Sequence, residues 1–276
     1  MTGGSGAGGS APSELPRPFY DHPWTGNLQA DARAFWDWHL TLLNARANSQ
    51  WREGDADTVL ASEDVSWIPA SISRAAQEAC ARHRQPLSLL ADQVAIAPRL
   101  WAPVRFVDAG DLDEVVRTSV GAHARLLAAL AGADHSWQVP AVVEFGRGLY
   151  LTGRILTLPD DLRGDRQFIP QAELEQSGVS LEHLLAGKVD AAVKRLLWKQ
   201  VVRARDALAR GTPLAAELEP RYARAMRRWW MDALEVLNEV ERREFDLWSR
   251  PLALAPIRRL QARLLALFGR TTFRRR

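Results

Sequence analysis

The strongest constraint on what this chain can fold into is the period of its apolar residues. From residue 28 onward they recur every three or four positions, and the two-residue alternation of a half-buried strand is rare. In 28–48, LQADARAFWDWHLTLLNARAN, the apolar positions Leu28, Ala32, Phe35, Trp36, Leu40 and Leu43 follow helical spacing. A polar stretch, 49–67, reads as a loop. The run 72–97 divides into two helices, with Pro86 in the first turn of the second, where a missing N–H costs nothing. Segment 110–131 predicts a helix capped by Asp111 or Asp113. Another follows Pro140 over about 141–158, and Pro159 and Pro170 mark a loop after it. Two long helices, 181–210 and 220–245, are separated by Gly211 and Pro213. No internal repeat occurs. The expected fold class is all-α, a single helical domain over 25–276.

Composition sets outer limits. An apolar share of 47% in 276 residues is ample for a buried core. The lone cysteine, Cys80, excludes an internal disulfide and fits a reducing compartment. Residues 1–24 are rich in Gly, Ser and Pro, lack the basic and apolar regions of a signal peptide, and read as a disordered lead. No apolar run is long enough to span a bilayer. The expected location is therefore cytoplasmic. The net charge of +3 conceals an asymmetry: 250–276 carries eight arginines and no acid, and the remainder is net −5. Within that tail Ile257, Leu260, Leu264, Leu265 and Phe268 alternate with arginines, a pattern suited to peripheral attachment to an anionic membrane surface. Nucleic acid is the weaker partner, because the body is acidic and carries no reading module.

Chemistry-bearing motifs are sparse. His39, His83, His123, His135 and His183 are scattered without the spacing of a zinc site, and each reads as a core or surface residue. No nucleophile elbow or phosphate-binding glycine loop is present. The eleven tryptophans read mostly as core, with lining of an apolar tunnel as the alternative. The stretch 151–170, LTGRILTLPDDLRGDRQFIP, concentrates acids and arginines. Asp161 and Asp165 are four apart, as facing residues on a helix turn would be.

The order of these elements resembles the squalene/phytoene synthase family, which joins isoprenoid diphosphates head to head. DRQFIPQAELEQSGVS resembles that family's loop of Gly-Arg, any residue, Tyr-Leu-Pro and a short helix, with Arg166, Phe168 and Pro170 in the Arg, Tyr and Pro places. ARHRQPLSLLADQV and RTSVGAHARLLAALAG look like its earlier helices; 184–214 and 233–254 look like its last ones. The nearest flavour is the hydroxysqualene synthase-like branch.

The resemblance implies an isoprenoid synthase-type helical bundle with a central cavity. It also implies a prenyltransferase acting on isoprenoid diphosphates through Mg²⁺ held by two acidic motifs. This sequence departs from that pattern. The family's Asn, Asp, Asp ladder falls on Gly153, Thr157 and Asp161, its nearby arginine on Leu156, and its tyrosine on Val115. The first acidic motif either aligns with Asn44–Asn48, which holds no carboxylate, or is lost with its helix. The candidate metal ligands are thus reduced to Asp160, Asp161 and Asp165. Arg154, Arg163 and Arg166 are the candidate partners of a substrate diphosphate. The expected ligand is an isoprenoid diphosphate or prenyl lipid. The alternative is a non-catalytic member acting beside an active paralogue.

Overall fold

The computed structural model describes residues 23–45 and 51–250. The Gly/Ser/Pro-rich lead, apart from its last two residues, the second half of the Asn44–Asn48 alignment, and all but the first residue of the arginine-rich tail lie outside them.

Thirteen α-helices make up the described residues: α1 (Asn27–Asn44), α2 (Asp55–Leu60), α3 (Ala70–Arg82), α4 (Ser88–Ile96), α5 (Ala109–Val116), α6 (Ala122–Leu130), α7 (Val139–Leu156), α8 (Leu158–Arg163), α9 (Gln171–Ser177), α10 (Leu181–Leu185), α11 (Ala191–Gly211), α12 (Leu214–Glu217) and α13 (Pro220–Arg242). A single parallel bridge, Val104 to Arg166, is the only strand-like pairing among the described residues. The all-α expectation therefore holds.

The departures have local causes. The polar stretch 49–67 contains α2, anchored because Asp55 accepts both the Arg52 N–H at 2.8 Å and the Trp67 indole N–H at 2.7 Å. Asp108, not Asp111 or Asp113, caps α5, accepting the Asp111 N–H at 3.0 Å. Pro86 lies just before α4. The helix expected over 110–131 is one rod with a π turn at Arg117–Gly121 between α5 and α6. Pro159 lies in the first turn of α8, so the expected loop there is helical. The helix expected over 181–210 breaks after α10, where Gly187 takes a φ of 67° and the chain restarts at the Asp190 cap.

Helix α7 is the hub. It packs along most of its length on α11, and also touches α6, α8, α13 and the π turn. Glycines set these distances. A Cβ on Gly148 would lie 2.7 Å from the Leu208 backbone nitrogen, and one on Gly211 2.7 Å from the Phe145 Cα. A Cβ on Gly146 would meet the Ala124 Cβ at 2.7 Å. Buried Glu144, near the start of α7, is surrounded by Arg117, Arg147 and Arg210, so that guanidiniums from three elements share one carboxylate. Of the eleven tryptophans, Trp24, Trp38, Trp101, Trp229 and Trp230 are buried, and only Trp137 and Trp198 are more than half exposed, as a mostly core role predicts.

Replacing Gly148 with alanine forces a side chain against backbone that has no room to yield. The expected loss is about 1–3 kcal/mol, read as a lower urea midpoint. Gly54→Ala, which meets open space, serves as control and changes stability by less than about 0.5 kcal/mol. An unchanged midpoint for Gly148→Ala would show that the helices are not held at glycine distance.

Candidate functional site

The carboxyl-terminal end of α7 and the turn into α8 bring together the polar groups of the 151–170 stretch. Helical spacing puts Tyr150, Arg154, Thr157 and Asp161 along one face. Asp161 is 7% exposed and fully engaged. One oxygen accepts from the Arg154 guanidinium at 3.0 Å and lies 3.8 Å from Arg166 Nε; the other accepts the Thr157 hydroxyl at 2.7 Å. Burial pushes the Asp161 carboxyl above its ordinary value, against the opposing pull of Arg154, Thr157 and Arg166. Two guanidiniums around one carboxylate leave a local excess of positive charge.

An aromatic wall backs these cations. Arg154 lies 4.9 Å from the Phe168 ring centroid and 5.3 Å from that of Tyr150, and Arg166 lies 5.3 Å from Phe168. Phe168 meets Tyr150 edge-on at 6.1 Å. Three donors in this cluster, the Tyr150 hydroxyl and the Nε groups of Arg154 and Arg166, are buried and have no hydrogen-bond partner. Burial raises the Tyr150 phenol, so it stays protonated as a donor. A narrow apolar cavity adjoins Arg154 and Phe168, walled by Leu112, Leu151, Ile155 and Leu197.

The Arg166–Pro170 loop is held by backbone pairing with the segment before α5. Val104 donates to Asp165 O and accepts from the Gln167 N–H, both at 3.0 Å, and the Gln171 N–H donates to Phe106 O at 2.9 Å. This pairing fixes Arg166 and Phe168 against α7.

The three candidate metal ligands do not converge. Asp160 is exposed and pairs with Arg163. Asp165 lies beyond the end of α8 at a φ of 57°, not facing Asp161 on a helix turn, and pairs with Arg105. Asp161 already accepts from neighbouring donors through both oxygens, Gly153 offers no side chain, and Thr157 spends its hydroxyl on Asp161. These residues do not fit a Mg²⁺ ion, which needs several oxygens directed at one point. Among the described residues no three His, Cys, Asp or Glu side chains are grouped to hold a metal. Of the candidate diphosphate partners, Arg154 and Arg166 share the buried cluster, and Arg163 stands outside it on the surface. Tyr150 was not singled out in the sequence; its signal is its place one helical turn before Arg154.

The all-α bundle is of the isoprenoid synthase type, as its solved structural neighbours show. The model of the squalene/phytoene synthase family matches residues 29–264, and the chain belongs to that family. It is 27% identical over 131 residues to the chloroplastic phytoene synthase of Narcissus pseudonarcissus and 28% identical over 131 residues to chloroplastic phytoene synthase 1 of Arabidopsis thaliana. Each match spans 46% of this chain and 30% of the relative. The fold is similar to that of the squalene synthase HpnC from Alicyclobacillus acidocaldarius, with a TM-score of 0.68 at 18% identity over 79% of this chain and 85% of that one. It is also similar to a dehydrosqualene synthase solved with a ligand, with a TM-score of 0.71 at 13% identity over 87% of each chain.

A second buried polar cluster lies between α1, α4 and α6. His39 and His123, far apart in sequence, stack at 4.2 Å beside Trp36. His39 Nδ1 lies 3.1 Å from the Gln93 carbonyl oxygen, and Gln93 donates to Leu89 O, which fixes the amide and makes His39 the donor. Both His123 nitrogens are buried without partners. Burial lowers His39 to about 4 and holds His123 well below its usual value. Both rings are therefore neutral in the folded protein, whereas the unfolded chain takes up protons near pH 6.5. The stability they contribute is whole above pH 6.5 and falls as pH drops toward about 4. Melting temperatures across that interval should decline, and less steeply in His123→Phe, which keeps a ring but loses one titrating group. Identical slopes would dissociate the decline from this pair.

Proposed function

We propose that this family member binds the diphosphate of an isoprenoid diphosphate with covalently attached cations in place of carboxylate-held metal. The observation that carries the reading is the cluster of three buried donors without a hydrogen-bond partner, Tyr150 Oη, Arg154 Nε and Arg166 Nε, around Phe168. Buried donors without acceptors are costly, and an anion with several oxygens would satisfy them. Guanidinium matches phosphate geometry, and two of them supply the positive charge that stabilises a departing diphosphate. The apolar cavity beside Arg154 has a volume of only about 20 Å³, so a prenyl chain entering there would have to displace the surrounding apolar side chains. Asp161 keeps the cations in place and offsets part of their charge while no anion is bound.

The chain is read here as a divergent isoprenoid-pathway protein in which Mg²⁺-dependent condensation is not the expected activity. The lack of converging carboxylates also favours a second reading, a member that binds the ligand without turning it over and supports an active synthase.

Farnesyl or geranylgeranyl diphosphate should bind the purified protein with and without Mg²⁺, and a chelator should not abolish binding in calorimetry. Arg154→Gln and Arg166→Gln should each weaken it about ten- to a hundredfold, and Tyr150→Phe about fivefold. Binding that requires Mg²⁺, or that survives loss of either arginine, would sink the proposal. Release of diphosphate with a new lipid product separates an enzyme from the non-catalytic reading.

A further inference from the structure

Helix α11 presents two unlike faces. Val193, Leu196, Leu197, Val201, Ala204 and Leu208 are buried, and this side packs on α7. The opposite face places Arg195, Trp198, Lys199 and Val202 at three- and four-residue spacing. Trp198 is 52% exposed, one of two tryptophans left so open among the described residues.

The charges of α11 are divided in the same way. Four of its six cations have carboxylate partners: Lys194 with Glu244, Arg203 with Glu173, Arg205 with Glu241 and Arg210 with Glu144. Among the described residues the two without an ion pair are Arg195 and Lys199, which bracket Trp198. Arg195 interacts electrostatically with Asp190, which caps α11 and pairs with His183, and the exposed Asp206 continues the face one turn beyond Val202. An exposed indole between two cations held in no ion pair is the composition of a surface that meets anionic headgroups: the ring enters the boundary region and the cations stay with the phosphates.

We infer that the outer face of α11, centred on Trp198, docks the protein on an anionic lipid surface. The opposite charge of the phosphates and the fit of an indole to the headgroup boundary favour a lipid surface over a groove-seeking partner helix. A second cationic element exists in the sequence, the eight arginines of 250–276 with no acid among them. Each cation is expected to contribute about fivefold to partitioning at moderate ionic strength, so the two elements together bind far more tightly than either alone.

The test is co-sedimentation of the full chain with vesicles of phosphatidylcholine alone or with phosphatidylglycerol. Wild type should sediment with the anionic vesicles, less at high salt, and not with the neutral ones. Arg195→Glu combined with Lys199→Glu should reduce binding at least tenfold, and Trp198→Ala severalfold. Circular dichroism should show unchanged helix content, since these side chains are solvent-facing. Absence of binding would overturn the inference. Undiminished binding by the charge-reversed variant would also overturn it, assigning attachment to the arginine-rich tail. Retention of the wild type on an acidic protein surface but not on lipid would do the same.

Discussion

The close approach of α7 and α11 is the contact on which the rest of the molecule depends. Gly148 and Gly211 remove the side chains that would hold the two axes apart, and Leu208 and Phe145 fill the space gained. Because α7 is pinned on this side, its far end cannot drift, and Tyr150, Arg154 and Thr157 keep a fixed relation to the loop carrying Arg166 and Phe168. The backbone pairing of Val104 with Asp165 and Gln167 closes the arrangement from the other direction. A buried polar cluster tolerates little misplacement, since each donor moved out of reach leaves a desolvated group behind.

On the proposed reading, the charge arrangement at Asp161 lets a diphosphate site do without the family's acidic ladder. With Gly153 and Thr157 in two ladder places, one carboxylate remains, and alone it could not neutralise a divalent ion. Surrounded by Arg154 and Arg166 it becomes a counter-ion to cations that belong to the chain. The sign of the local charge is positive and therefore receptive to an anion, its source being the chain's own arginines. Aromatic faces on Phe168 and Tyr150 hold the guanidiniums without competing for their outward N–H groups.

Much of the fold was legible because helical period is a local property: α1, α7 and α13 fall within a few residues of where apolar spacing puts them. What escaped depended on local signals read the wrong way or on distance in sequence. Pro159 reads as a breaker but occupies a permitted first-turn position in α8. Asp108 outcompetes Asp111 as cap because Asp111 is held by Arg99 and the Val107 N–H. The prominence of Arg154 and Arg166 was visible in the sequence. That Asp160 and Asp165 turn outward to Arg163 and Arg105 was not, since it depends on where α8 ends. The stacking of His39 on His123 joins residues from helices that only the tertiary fold brings together.

The π turn at Arg117–Gly121 affects how this chain can be compared with others. A π turn accommodates one residue more than the α-helix on either side, which rotates everything after it by roughly 100°. Inward positions of α5 and α6 therefore follow two different phases of one apparent helix. An alignment that carries a single phase across the turn assigns the buried face of α6 one residue out of place. A deletion of one residue there would restore an unbroken α-helix and leave His123 and Ala124 at their present contacts. The turn is an insertion absorbed without a loop, and it makes this rod the segment of the molecule where sequence position and spatial position are most easily confused.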